Sequence, residues 1–267
     1  MGKFLQIASF IAFLYVALQL CSCSGDDEVY LEPIDVGTVE DLAALPIIAH
    51  RGCWSGDSLP QNSLASFRKA LLQNIYGTEF DVRQTLDGQL VINHDATFNG
   101  KEISQTRYAD LCAKTFPNGE TIPLLEEFVK TYVSANSKVL MVVELKACRV
   151  DDVLTILRQY DVLSHVCFIS FSRSLCSDLV TRGYGTITYY LGGNLSPRQV
   201  KDYGYGGIDY SHSTLQEHPD WIHEAHQLGL WTGVWTVNDP SVKESYLADS
   251  VIVTTDNVQS VSLYYLM

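Results

Sequence analysis

Val139-Leu140-Met141-Val142-Val143-Glu144-Leu145-Lys146 is almost entirely apolar until its end, where an acid and a base stand two residues apart. Near-continuous apolar character suits a strand covered on both faces, as in a parallel sheet packed under helices. Side chains two apart on a strand share a face, so Glu144 and Lys146 point the same way. Similar runs occur at Pro46–His50, Thr78–Val82, Leu90–His94, Val166–Phe171, Thr186–Leu191, Gly207–Tyr210, Leu230–Val237 and Ser250–Thr254. Between them, 3.6-residue apolar spacing predicts helices over Ser63–Gln73, Leu124–Val133, Asp151–Tyr160, Ser174–Arg182 and Asp220–Leu228. Asn62 is placed to cap the first of these and Pro123 to open the second. The alternation predicts one α/β domain, a TIM (β/α)8 barrel over residues 43–267.

Nine runs compete for eight staves. Asp87-Gly88 signals a two-residue hairpin turn that would set Thr85 against Leu90, Arg83 against Ile92 and Asp81 against His94. Either this hairpin rises from the barrel rim, or the short Gly207–Tyr210 run is the odd one out. The polar stretch from Thr97 to Gly119 emerges beside the same end, either as part of the substrate entrance or as a plain surface loop.

In a parallel barrel the strand C-termini line the functional face. His50, Glu79, Asp81, His94, Glu144 and Lys146 all fall there, and such groups are rarely buried unpaired as mere packing. Glu79, Asp81 and Glu144 are hard oxygen donors suited to one divalent cation, Ca²⁺ or Mg²⁺. Arg51 and Lys146 can hold phosphate oxygens, and His50 with His94 forms an acid–base pair. That inventory predicts metal-assisted phosphoryl chemistry. Phe171, closing its strand, is placed either to wall the pocket or to pack in the core.

The same residues carry a resemblance. Ala49-His50-Arg51-Gly52, Pro60-Gln61-Asn62-Ser63, Glu79-Phe80-Asp81-Val82, Thr85-Leu86-Asp87-Gly88 and His94-Asp95 follow one another as in glycerophosphodiester phosphodiesterases. Ile122-Pro123-Leu124-Leu125-Glu126-Glu127, Glu144-Leu145-Lys146, Trp235-Thr236-Val237-Asn238 and Thr255-Asp256 continue the likeness. It implies hydrolysis of a small-molecule glycerophosphodiester to sn-glycerol 3-phosphate and an alcohol. It implies His50 and His94 as catalytic residues, Glu79, Asp81 and Glu144 as metal ligands, Arg51 and Lys146 on the phosphate, and Trp235 in the pocket wall. The nucleophile stays open between water and the glycerol 2-hydroxyl. Gln61 stands where the family commonly has Glu, which predicts a less firmly held Arg51. The segment after His94-Asp95 lacks the usual Asp-Arg-Thr, and Asn257 replaces the common ending. Two other readings remain: a sphingomyelinase D-like or phosphoinositide-cleaving phosphodiesterase, and an idle barrel that binds phosphorylated ligands.

The first residues read as an export signal. Lys3 precedes an apolar stretch, and Leu20-Cys21-Ser22-Cys23 resembles a bacterial lipoprotein box with Cys23 as the lipidated residue. Residues 1–22 are then the signal peptide and 23–42 a tether. Ser24 after the lipid site implies anchoring to the outer membrane, at its periplasmic face or at the cell surface. The chain has 267 residues and a formal charge of −13. So acidic a surface is a poor match for nucleic acid. No protein partner is legible. The cysteines beyond the tether show no metal or redox spacing, which predicts mostly buried thiols.

Overall fold

The computed structural model describes residues 45–258. The predicted signal peptide, tether and Cys23 lie outside the described residues. The strands are β1 Leu45–Ala49, β2 Ile75–Gln84, β3 Leu90–Ile92, β4 Thr97–Phe98, β5 Lys101–Glu102, β6 Leu140–Ala147, β7 Val166–Ser170, β8 Thr188–Tyr190, β9 Gly207–Ser211, β10 Trp231–Trp235 and β11 Ile252–Thr255. The helices are α1 Leu64–Leu71, α2 Tyr108–Leu111, α3 Leu125–Ala135, α4 Val150–Gln159, α5 Arg173–Thr181, α6 Pro197–Asp202, α7 His212–Glu217, α8 Trp221–Gln227 and α9 Pro240–Ala248. β1, β2, β6, β7, β8, β9, β10 and β11 pair in parallel in that order, and β11 returns to β1. This closed ring of eight is a TIM barrel.

The ninth run is β3, which pairs antiparallel with β2 outside the ring, and Gly207–Ser211 is a true stave. The hairpin register differs by one residue from the expected one. Gln84 pairs with Leu90, Arg83 with Val91 and Val82 with Ile92. The turn holds three residues, Leu86-Asp87-Gly88, between Thr85 and Gln89, whose backbone N–H and C=O are joined at 2.9 Å. Gly88 takes φ +81°, the left-handed position that ends such a loop. Asp81 therefore lies opposite Asn93, and its carbonyl accepts from the Asn93 N–H at 2.9 Å.

Alternation on β2 explains how acids come to be buried. Phe80 faces outward between Glu79 and Asp81 and packs between Phe67 of α1 and Phe128 of α3, at ring-centroid distances of 5.6 and 5.0 Å. Burying one such ring contributes about 1.5–3 kcal/mol. That anchorage commits both carboxylates to the barrel interior. Ser63, rather than Asn62, caps α1, its hydroxyl accepting from the Ser66 N–H at 3.0 Å. Asn62 is released for a role in the site.

Residues 97–122 are neither featureless nor part of the entrance. They fold into the β4–β5 ladder and α2 over a small core of Val91, Phe98, Ile103, Leu111 and Ile122. None of them lines the cavity at the barrel mouth. All five cysteines among the described residues are unpaired, with Cys53, Cys167 and Cys176 buried.

Candidate active site

A cavity of about 110 Å³ opens at the strand C-termini, lined among others by His50, Arg51, Glu79, His94, Glu144, Lys146, Phe171 and Trp235. Asp81 lies fully buried beside it. Every predicted site residue among those described is thus gathered at one end of the barrel.

The turn after β1 sets the first two. Arg51 at φ +55° and Gly52 at φ +81° reverse the chain, and the Arg51 N–H donates to Glu79 Oε2 at 2.8 Å. A Cβ on Gly52 would come within 2.7 Å of the Ser66 backbone, so the close approach to α1 requires glycine. Gln61 meets the arginine through a neutral acceptor: its Oε1 accepts from Arg51 Nη1 at 2.6 Å. A neutral carbonyl replaces an ion pair there, while Arg51 Nε stands 3.6 Å from Asp81.

Glu79, Asp81 and Glu144 each offer an oxygen within 4.8 Å of the others. Glu79 Oε1 is buried without a hydrogen-bond partner. The Lys146 ammonium stands 2.7 Å from Glu144 Oε1 and 3.2 Å from Asp81 Oδ1. Asn62 donates to Asp81 Oδ2 at 2.7 Å. Burial, then the charges of Asp81 and Glu144, push the Glu79 carboxyl well above its usual range. Burial and Asp81 push Glu144 up to about 8 against the pull of Lys146. Burial also works to raise Asp81, but Lys146, Asn62 and Arg51 outweigh it and hold that carboxyl below its usual value. Three crowded carboxyls, two of them reluctant to ionise, form a hard donor set that a divalent cation would relieve.

Both imidazoles are oriented by acids. His50 Nδ1 lies 2.7 Å from Asp256 Oδ1, leaving Nε2 4.0 Å from Glu79. Asp256 is itself held by Asn238, whose amide donates to Oδ2 at 2.8 Å. His94 Nδ1 lies 2.8 Å from Asp95. The Arg83 guanidinium grips the His94 carbonyl with two donors, at 2.6 and 3.0 Å. A carboxylate on Nδ1 favours the tautomer with its proton there and a bare Nε2. Burial, reinforced by Lys146 and Arg51, lowers the His94 pKa despite the nearby acids.

Trp235 and Phe171 meet edge to face at 5.5 Å, and the Lys146 ammonium lies 5.5 Å from the Phe171 ring. Phe171 is therefore a wall of the pocket, not core. Asp256, Asp209, Asp95, Asn238 and Arg83 are groups to which the sequence reading gave no role in the site, and Asn62 was given only a capping role. Asp256 follows its strand as His50 does, so the same end-of-strand rule could have found it.

The glycerophosphoryl diester phosphodiesterase family model matches residues 50–260, and the chain belongs to that family. A crystal structure of a glycerophosphodiester phosphodiesterase from Parabacteroides distasonis is 33% identical, with a TM-score of 0.74 over 79% of this chain and 92% of that one. An Oleispira antarctica phosphodiesterase, solved in complex with the product sn-glycerol-3-phosphate, shares the fold at 22% identity and a TM-score of 0.69, covering 83% of this chain and 96% of that one. Among curated relatives, the glycerophosphodiester phosphodiesterase of Bacillus altitudinis is 32% identical over 112 residues, 38% of this chain and 44% of the relative. The chain thus matches less than half of that relative's length.

Proposed function

We propose that this protein hydrolyses glycerophosphodiesters to sn-glycerol 3-phosphate and an alcohol, with one divalent cation, Ca²⁺ or Mg²⁺, bound by Glu79, Asp81 and Glu144. The observation that carries the reading is the meeting of three buried carboxylates with two imidazoles whose Nδ1 atoms are each tied to an acid. Family membership and the product-bound Oleispira neighbour support it. A cation held there supplies charge neutralisation and Lewis acidity toward the phosphoryl group.

Arg51 and Lys146 bind the phosphate oxygens and meet the charge that builds as the P–O bond breaks. One imidazole, neutral with a bare Nε2, takes the proton of the nucleophile as its oxygen bonds to phosphorus; the other enters the step as the imidazolium and gives its Nε2 proton to the departing alkoxide as the P–O bond breaks. Asp256 and Asp95 keep the two rings in the tautomer and orientation this exchange needs. Phe171 and Trp235 exclude water from one side of the reacting group.

Purified protein with Ca²⁺ or Mg²⁺ is expected to release glycerol phosphate from glycerophosphocholine and to stop on addition of EDTA. Activity that persists in EDTA, or release of a cyclic phosphate or of phosphocholine only, overturns the reading. Asp256→Asn keeps the shape beside His50 but frees the ring to turn, with an expected loss in kcat of about 10-fold or more and little change in KM. A pure KM effect would instead place Asp256 in substrate binding.

A further inference from the structure

Asp209 is a carboxylate for which neither the fold nor the proposed reaction has a use. It projects into the barrel from β9, which stands across the ring from β2, four staves away in either direction. Its side chain is 1% exposed, Oδ1 is buried without a hydrogen-bond partner, and the residue lines the same cavity. Among the described residues no Lys, Arg or His forms an ion pair with it, and burial pushes its carboxyl up to about 7. An unpartnered buried acid is costly, so packing gives no reason to keep one.

The space around it is shaped for it. Gly233 is its register partner on β10. A Cβ on Gly233 would come within 2.7 Å of Asp209 Oδ1 and 2.5 Å of the Trp231 ring. Trp235, in the cavity wall, donates its indole N–H to the Asp209 carbonyl at 2.9 Å and fixes that stretch of β9. Between the charged groups on β1, β2 and β6 and the acid on β9, the wall is apolar on the β7–β8 side, with Ile169 and Leu191, while Thr236 and Thr254 line the other side. A ligand fitting this layout has an anionic group at one end, a short carbon skeleton, and a hydrogen-bond donor at the other.

We propose that Asp209 receives a hydroxyl of the glycerol arm and so selects glycerol-bearing phosphates over those without the hydroxyls. This rests on the functional reading above and adds the residue that recognises the sugar alcohol. A carboxyl or carboxylate oxygen accepts from the hydroxyl, which removes the desolvation penalty only when the correct ligand is bound.

The test compares binding of sn-glycerol 3-phosphate and 1-propyl phosphate by calorimetry, with Mg²⁺ or Ca²⁺ present, in the native protein and in Asp209→Leu. Hydrolysis of glycerophosphocholine and of bis(4-nitrophenyl) phosphate is followed in parallel. The native protein is expected to prefer the glycerol ligand at least ~10-fold, and Asp209→Leu to erase that preference. KM for glycerophosphocholine rises in the variant while the nitrophenyl diester is cleaved as before. Asp209→Ala serves if the leucine variant does not fold. An unchanged preference, or equal weakening of both ligands, overturns the assignment. So does a rise in KM for glycerophosphocholine and glycerophosphoethanolamine that is absent for glycerophosphoglycerol, assayed alongside, which would mean pairing with a cationic head group. If no diester is hydrolysed yet the binding preference collapses in the variant, the hydrolase reading fails and the hydroxyl assignment stands.

Discussion

His50→Ala and His94→Ala are each expected to lower kcat on glycerophosphocholine at least ~10²-fold. The two rings come from different elements, one at the end of β1 and one after the hairpin strand β3. Each keeps one nitrogen on an acid and the other for the reactants, so neither is replaced by its partner. Neither ring is among the cation ligands proposed above. The rise in Tm on adding Ca²⁺ or Mg²⁺ should therefore survive both substitutions. A change below threefold in both variants would remove the imidazoles from the mechanism. Loss of the cation response in His50→Ala would move that residue into the metal site.

The second large effect separates two neighbouring acids that sequence alone treats alike. Asp81 neutralises Arg51 and Lys146 and accepts from Asn62, so Asp81→Asn leaves Arg51 facing only the neutral Gln61 and Lys146 paired with Glu144 alone, and should cost about 3 kcal/mol. Its folded pKa is depressed, so this stabilisation is present above the ordinary carboxylate pKa. It fades as pH falls through the folded value, and the gap between native protein and variant narrows below pH about 4. Glu79 has the opposite sign. Its folded pKa is raised, so between the ordinary and the folded value the native state holds the extra proton, and stability falls as pH rises across that window. Glu79→Gln should then flatten the decline and leave the cation-free protein at least as stable as the native one at pH 8. Both variants should lose the cation response, which at 100-fold excess over Kd amounts to about 2.7 kcal/mol in the native protein. For a domain of this size that is roughly 5–10 °C in Tm, measurable by thermal unfolding. A Glu79→Gln protein that still responds fully would exclude Glu79 from the metal site.

What the sequence disclosed follows from how the barrel is built. Staves covered on both faces must be apolar almost throughout, so charged residues at their ends stand out, and Glu79, Asp81, Glu144 and Lys146 were placed by that contrast. The ring of eight was legible for the same reason, but which of nine runs lay outside it was not, because apolar character alone does not say which strand pairs with which. The hairpin register failed because Asp87-Gly88 was read as a complete turn, while Gly88 in its left-handed conformation closes a loop that begins at Leu86. Asn62 was assigned by a local rule, helix capping, and its actual partner Asp81 is a tertiary neighbour that no local rule can name. Asp209 sat in plain view as an acid within an apolar run. It went unread because that run was the one whose place in the ring was open.

The Arg83 fork on the His94 carbonyl has a consequence for how such barrels diversify. It ties the imidazole to β2 rather than to the segment that follows, and that segment rests on a separate small core. That core reaches back to Val91 of β3, so residues 97–122 can be varied with the proton-transfer geometry left intact wherever the packing on Val91 is kept.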